Sequence, residues 1–316
     1  MKEEVRQAKY EEAFVDVVGA RVHYLHAGNG KPILLIHGLV GSSENWRNNI
    51  DALARDASVY AIDLVNMSKS QRVGGMDAGL SATANRIALI MEALNLAEAD
   101  IVAHSHGGAV ALMLAALHPR RVRKLILFAP ANPYSRSSDL MVRIYSTRWG
   151  GLLAWMLPYL PAPIQRVALG PMYGGPNRVV DRCLQEIVVG LRNPNTLRHV
   201  LCVIRCWYAE MVKLKTAIRR VKRVPILLVW GARDCTVSLS SAIHLKRKLR
   251  ASELIVLPGC GHSAFEDNPG ESNRIMLEWL GRDSLSAPRL SDAQLAPGVS
   301  IRTSRSAATR RLSPGI

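Results

Sequence analysis

Aromatic side chains are scarce, at 5% of the 316 residues, so a core must be built from Leu, Val, Ile and Ala rather than from stacked rings. Cysteine is also sparse. Its five copies (Cys183, Cys202, Cys206, Cys235, Cys260) form an odd set without regular spacing, which argues against a disulfide framework. Cys202 and Cys206 fall one helical turn apart, and no second cysteine pair stands near them to complete a zinc site. Buried, reduced thiols in a cytoplasmic protein are expected, with no metal and no other cofactor. No run reaches the ~18 apolar residues that a membrane span requires. The charged start, Met1-Lys2-Glu3-Glu4-Val5-Arg6, is not followed by an apolar segment of signal-peptide length. What is plentiful is aliphatic: 48% hydrophobic against 21% charged residues suffices for a large core in one or two domains.

Acidic residues are the other shortage. Twenty-five Asp and Glu face 41 Lys and Arg, a formal charge of +16. The imbalance is local. Residues 131–223 hold fifteen Lys and Arg against Asp139, Asp181, Glu186 and Glu210, and residues 283–316 hold five Arg against two Asp. Neither segment carries a zinc-finger or RNP pattern, so nucleic acid is not an expected partner. A solvated basic face is the expected account. The alternatives are acidic metabolites, a partner, or peripheral contact of the basic insert with anionic lipid.

The first 130 residues read as strands alternating with helices. Phe14–Val18 and Arg21–His26 alternate around Gly19-Ala20, which predicts an opening hairpin. Pro32–Ile36, Val59–Leu64, Ile101–Ala103 and Leu125–Ala129 are continuous aliphatic runs, suited to strands buried on both faces of a parallel sheet. Helical spacing lies between them at Glu44–Arg55, at Ser81–Leu94 with Ser81 as N-cap, and at Gly107–Leu117. From Ala131 to about Arg223, prolines at 158, 161, 163, 171 and 176 separate stretches of helical spacing (Leu140–Arg148, Arg178–Leu191, Leu197–Lys215). Strand and helix then alternate again: Pro225–Trp230, Ser240–Arg250, Glu253–Leu257, Glu271–Leu280. The expected organisation is an α/β core over 1–130 and 224–281, a helical cap or lid insert over 131–223, and a basic, disordered tail over 282–316.

Ser105 sits in Ala103-His104-Ser105-His106-Gly107-Gly108, where a strand gives way to a helix. A serine at that turn is lifted above the sheet edge, and the small residues around it let the backbone pass through a tight bend. Asp234, in Trp230-Gly231-Ala232-Arg233-Asp234, follows a strongly apolar strand. His262 ends the glycine-rich Pro258-Gly259-Cys260-Gly261-His262 after the next strand. In open α/β sheets, ligands bind at the carboxyl ends of strands, so all three residues converge on one rim. The chemistry needs each type: a hydroxyl nucleophile, an imidazole to take and return its proton, and a carboxylate to orient and stabilise the imidazole. His104 and His106 flank the serine but point elsewhere, and neither is expected to be the base.

On these residues the chain resembles the α/β-hydrolase superfamily, whose nucleophile elbow is small-x-Ser-x-small and whose triad runs in the order Ser, Asp, His. Ala103 stands where that elbow usually has glycine. The resemblance implies a mostly parallel central sheet with helices on both faces plus a helical cap insertion, and it spans about residues 14–281. It further implies that His37-Gly38-Leu39-Val40 is the oxyanion loop, with the N–H groups of Leu39 and His106 as the hole and His37 and Gly38 as its support. Asp63-Leu64-Val65-Asn66-Met67-Ser68-Lys69-Ser70 resembles the family's Asp-x-x-Gly-x-Gly-x-Ser, with Asn66 and Ser68 replacing both glycines. Asparagine tolerates positive φ, so the turn can survive, with the loop expected to be altered.

Serine argues against the dehalogenase and epoxide-hydrolase branches, which carry aspartate at the elbow. The implied activity is ester hydrolysis through an acyl-enzyme, of carboxylesterase or lipase type, on a small-molecule ester or acyl substrate. C–C bond hydrolysis of diketones and cofactor-free haloperoxidase chemistry use the same triad. A slow-turnover ligand receptor, or a scaffold with a vestigial site, are readings of another class. Asn132, just past the sixth strand, occupies a place where some branches carry the acid, but an amide cannot replace a carboxylate there. The apolar stretch Trp149–Leu160 is expected to be the insert's own packing face, with an acyl pocket or a lipid-facing surface as alternatives. Oligomeric state is left open.

Overall fold

A computed structural model describes residues 10–17, 19–137, 139–169, 181–249 and 252–282. The aliphatic runs form β1 (Glu11–Val17), β2 (Ala20–Ala27), β3 (Lys31–Ile36), β4 (Ala57–Ile62), β5 (Ala99–His104), β6 (Val122–Phe128), β7 (Ile226–Gly231) and β8 (Ser252–Leu257). They join one sheet in the order β1-β2-β4-β3-β5-β6-β7-β8. β2 runs antiparallel to both of its neighbours, and every pairing from β4 to β8 is parallel. The hairpin closes on the pair Val17 and Ala20, one residue earlier than the spacing around Gly19-Ala20 suggests.

The continuous apolar runs have a direct physical reason. Successive side chains of a strand point to opposite faces, and here both faces are covered. Leu34 and Ile36 enter one core cluster, while Ile33 and Leu35 enter the other. Leu228 and Trp230 are likewise separated from Leu227 and Val229. Among the described residues the helices are α1 (Ile50–Leu53), α2 (Leu80–Ala93), α3 (Ser105–Leu117), then five between β6 and β7 that pack on one another and, through α8, on α3, and three later ones. The five are α4 (Asp139–Tyr145), α5 (Arg148–Met156), α6 (Ala162–Leu169), α7 (Asp181–Arg192) and α8 (Pro194–Ala217). The last are α9 (Leu239–Lys248), α10 (Ala264–Asp267) and α11 (Pro269–Leu280). The fold is that of an α/β hydrolase.

Four expectations are corrected. Glu44–Arg55 is not one helix: a 3-10 turn at Ser43–Trp46 is followed by the single turn α1. The break lets Trp46 sink completely and stack on Phe265 at 4.2 Å. Ser81 is not an N-cap, because α2 begins at Leu80 with Gly79 in that position. The Leu80 N–H is taken instead by Glu210 Oε2 of α8 at 2.7 Å, which places a carboxylate at the positive end of the helix dipole. Among the described cysteines only Cys260 is buried; Cys202 and Cys206 of α8 are half-buried and Cys235 is exposed. The Cys183 side chain lies outside the described residues. Finally, Trp149–Leu160 buries its small residues, with only Trp155 and Leu157 of its large ones packed partly against the core. Gly150, Gly151, Ala154 and Pro158 are buried, while Trp149, Leu152, Leu153, Met156 and Tyr159 are exposed. The expected tail, apart from Arg282, lies outside the described residues.

Candidate active site

The junction between β5 and α3 is sharp. Ser105 is the first residue of α3 and has φ +51°, a left-handed conformation that costs a non-glycine residue free energy and persists only where its surroundings enforce it. They do so here by close packing. A Cβ on Gly107 would lie 2.3 Å from the His37 carbonyl oxygen, so the first turn of α3 fits against β3 only without a side chain. Ser105 itself is half-buried, and its carbonyl accepts the Ala131 N–H at 2.9 Å.

The loops after β7 and β8 are laced together before they present their side chains. Ala232 N–H donates to the Leu257 carbonyl and Arg233 N–H to that of Cys260, both at 2.9 Å. Gly261 N–H donates to Asp267 Oδ2 at 2.6 Å. Asp234 then spans two tasks. Its Oδ1 accepts the N–H groups of Thr236 and Val237 at 2.8 and 2.9 Å, and its Oδ2 lies 2.8 Å from His262 Nδ1. His262 Nε2 lies 2.9 Å from Ser105 Oγ. A carboxylate only accepts, so Nδ1 carries the hydrogen and Nε2 is left to accept the serine hydroxyl. The Asp234 and His262 side chains are 0% and 2% exposed, so bulk water does not compete for either bond.

The loop after β3 runs beside this chain of three. A Cβ on Gly38 would lie 3.2 Å from Ser105 Cβ and 2.9 Å from His104 Nδ1. His37 is fully buried. Its Nδ1–H donates to the Gly38 carbonyl at 2.7 Å, and its Nε2 accepts the Leu64 N–H at 2.9 Å. Burial holds the His37 imidazole below its ordinary pKa against the pull of Asp63, so it stays neutral and keeps an acceptor. His106 N–H is one of the first-turn donors of α3, which have no acceptor inside the helix. Gly38 of the loop after β3 thus lies against Ser105 on one side, and His106 follows the serine in the first turn of α3.

Asp63 anchors this side. Its carboxylate accepts Ser43 N–H at 2.6 Å, Lys69 N–H at 3.0 Å and His23 Nδ1–H at 2.9 Å. Burial pushes the Asp63 carboxyl up, but the His23 hydrogen bond, the neighbouring His37 and the two backbone donors outweigh it and hold the group below the usual carboxylate range. The loop that Asp63 starts has left-handed residues where the glycines are replaced: Asn66 at φ +70° and Ser68 at φ +43°. Asn66 stabilises its turn with both amide atoms, accepting Val73 N–H at 2.7 Å and donating to the Val73 carbonyl at 3.1 Å.

Two histidines beside Ser105 have different surroundings. His104 Nε2 lies 3.2 Å from the His262 carbonyl, and its ring packs between His262 and Phe265. It braces the His262 loop, a role the flanking motif does not announce, since its partners come from residues about 160 positions later. His106 points the other way, into a small cavity of about 20 Å³ with Leu39, Leu64, Arg86 and His199, room for about one water. Both of its ring nitrogens are buried without a hydrogen-bond partner among the described residues. Burial, with His199 and His37 nearby, lowers its pKa to about 3. Asn132 is a structural residue: its amide donates to the Pro130 carbonyl and Ser241 Oγ, and its oxygen accepts Tyr134 N–H. Among the described residues, no group of three or more His, Cys, Asp or Glu is arranged to hold a metal ion.

Comparison with known proteins agrees with this architecture. A model of the alpha/beta hydrolase fold family matches residues 31–269. A 2-hydroxy-6-oxo-6-(2'-aminophenyl)hexa-2,4-dienoic acid hydrolase of Metapseudomonas resinovorans is 26% identical over 285 residues, covering 88% of this chain and 94% of its own. A monoacylglycerol lipase of Homo sapiens is 24% identical over 288 residues, covering 83% of each. The solved structure of a meta-cleavage product hydrolase from Pseudomonas fluorescens superposes with a TM-score of 0.71 at 22% identity, covering 85% of this chain and 97% of that one. The chain belongs to the α/β-hydrolase fold family.

Proposed function

We propose that the chain is a serine hydrolase in which Ser105, His262 and Asp234 act as a catalytic triad on a small-molecule ester. The observation that carries this reading is the continuous chain of 2.9 and 2.8 Å contacts from the hydroxyl through the imidazole to a buried carboxylate. His262 Nε2 removes the Ser105 proton as Oγ attacks the ester carbonyl, while Asp234 holds the tautomer and stabilises the imidazolium. The charge that develops on the carbonyl oxygen is received by the N–H groups of Leu39 and His106. Collapse of the tetrahedral intermediate returns the proton to the leaving alcohol and leaves an acyl-Ser105. Water, activated by the same imidazole, then releases the acid. The helices of 131–223 serve as the cap: His199 and Thr196 of α8 touch Asn66, and His199 lends a wall to the cavity beside His106.

Hydrolysis of a C–C bond in a diketone-like substrate is the second reading, supported by the similarity to a dienoic acid hydrolase. The two readings separate by substrate, not by triad. A fluorophosphonate should label the wild-type chain at Ser105, and a chain-length series of p-nitrophenyl esters should be turned over many times per molecule. Ser105→Ala should lose labelling and roughly 10³-fold or more of the activity. Full activity in that variant would remove Ser105 from the reaction. Labelling with fast cleavage of a vinylogous diketone but negligible ester turnover would favour the second reading. At most one turnover per molecule would mark a ligand receptor.

A further inference from the structure

Ordinary folding hides large apolar side chains, yet α4 and α5 turn theirs outward. Leu140 is 71% exposed and Trp149 78%, with Ile144, Leu153 and Met156 around half exposed. On α5, residues 149, 153 and 156 share one helical stripe. The two helices pack against each other and against α8; their buried residues are Val142 on α4 and Gly150, Gly151 and Ala154 on α5, with Tyr145 and Trp155 partly buried beside them. Gly150 allows the closest approach, since a Cβ there would meet the Ile144 carbonyl oxygen at 1.9 Å. The inward side of this helix pair is therefore committed to packing and the outward side is apolar. Tyr159 continues the exposed surface in the 3-10 turn after α5.

The charges on this part of the chain are mostly positive. Between residues 131 and 169 the ionised side chains are Arg136, Arg143, Arg148 and Arg166 against Asp139 alone, and the first three arginines are exposed. Arg192 of α7 stacks its guanidinium over the Tyr159 ring at 5.7 Å. Exposed apolar side chains interleaved with arginine match the region where acyl chains meet anionic headgroups. They do not match a second copy of the chain. An isologous contact would bring the same face against itself and oppose arginine with arginine.

We propose that the outer face of α4, α5 and the turn through Tyr159 docks on an anionic lipid bilayer, with Trp149, Leu153 and Met156 entering the interface and Arg143 and Arg148 at headgroup level. The inference stands on the surface alone and does not depend on the reaction proposed above. It uses only part of the basic excess of residues 131–223, the arginines on and beside one helix pair. Among the described residues no helix is long and apolar enough to cross a membrane, and interfacial docking needs none.

The test is co-sedimentation of the full chain with phosphatidylcholine vesicles and with mixed phosphatidylcholine–phosphatidylglycerol vesicles, at low and at high salt. Binding is expected only to the mixed vesicles and should weaken with salt. Trp149→Ala/Leu153→Ala/Met156→Ala should reduce the partition coefficient at least about tenfold, and Arg143→Gln/Arg148→Gln by roughly fivefold per arginine. These side chains are exposed, so both variants should keep the wild-type circular dichroism and melting temperature. On mixed vesicles, tryptophan emission should shift to the blue in wild type and far less in Trp149→Ala. Equal, salt-insensitive binding to pure phosphatidylcholine would overturn the proposal, as would no binding to either vesicle. Light scattering that showed a dimer, dissolved by the triple substitution and indifferent to lipid, would assign the face to self-association instead.

Discussion

Replacing His106 by methionine tests the unusual setting of the residue that follows the elbow serine. The imidazole is buried, its two ring nitrogens have no partner among the described residues, and its pKa is lowered to about 3. In the unfolded chain the same group titrates near 6.5. Between those values the unfolded state binds a proton that the native state refuses, so acidification favours unfolding. The stability that neutral His106 brings is complete above the unfolded pKa and is lost as the pH falls below it. Moving from about pH 7 to about pH 5 should remove about 2 kcal/mol through this one group. Methionine has similar bulk, no proton to gain and no ring nitrogen to satisfy. Urea unfolding should therefore show His106→Met losing about 2 kcal/mol less than wild type over that interval. At neutral pH the variant should be no less stable, because removing an unsatisfied buried polar group offsets imperfect packing. If wild type and variant lost the same stability on acidification, the imidazole would be titrating normally and the reading of its surroundings would be wrong.

Two further substitutions probe the loops around the elbow. Asp234→Asn should keep the Thr236 and Val237 N–H bonds and hence the fold. Its amide would present a donor to His262 Nδ1 and reverse the tautomer. Turnover of the best ester should fall on the order of 10³- to 10⁴-fold with unchanged thermal unfolding, and an unaltered rate would return the acid's role to another carboxylate. Ser68→Gly should stabilise the chain by up to about 1 kcal/mol by relieving φ +43°. Asn66→Gly should not, because it forfeits both hydrogen bonds to Val73; a melting-temperature gain from Asn66→Gly equal to that from Ser68→Gly would show that those bonds contribute nothing.

The core was legible because a parallel sheet buried on both faces leaves a one-dimensional trace. Runs such as Ile33–Ile36 and Ile226–Trp230 have no polar alternation, since each successive side chain enters one of two cores. The three residues that meet at Ser105 were legible for a related reason. Each stands just past the carboxyl end of a strand, and parallel strands bring those ends to one edge. Features that depend on distant partners left no such trace. α2 is capped by Glu210, 130 residues away, so its start could not be read from Ser81. His104 looks idle beside Ser105 until His262 and Phe265 arrive from the far end of the chain.

The stretch Trp149–Leu160 shows why composition alone misjudges a packing face. Its apolar bulk suggests that the large residues do the packing. Contact distance decides otherwise. Where two helix backbones approach as closely as Gly150 does to Ile144, only small side chains fit between them. The glycines and Ala154 must then point inward, and the helix's fixed angular spacing turns Trp149, Leu153 and Met156 to the opposite side. A small-residue stripe and a large-residue stripe on one short helix are thus a single geometric fact. The first sets the packing against α4 and α8, and the second leaves an apolar face exposed among the described residues.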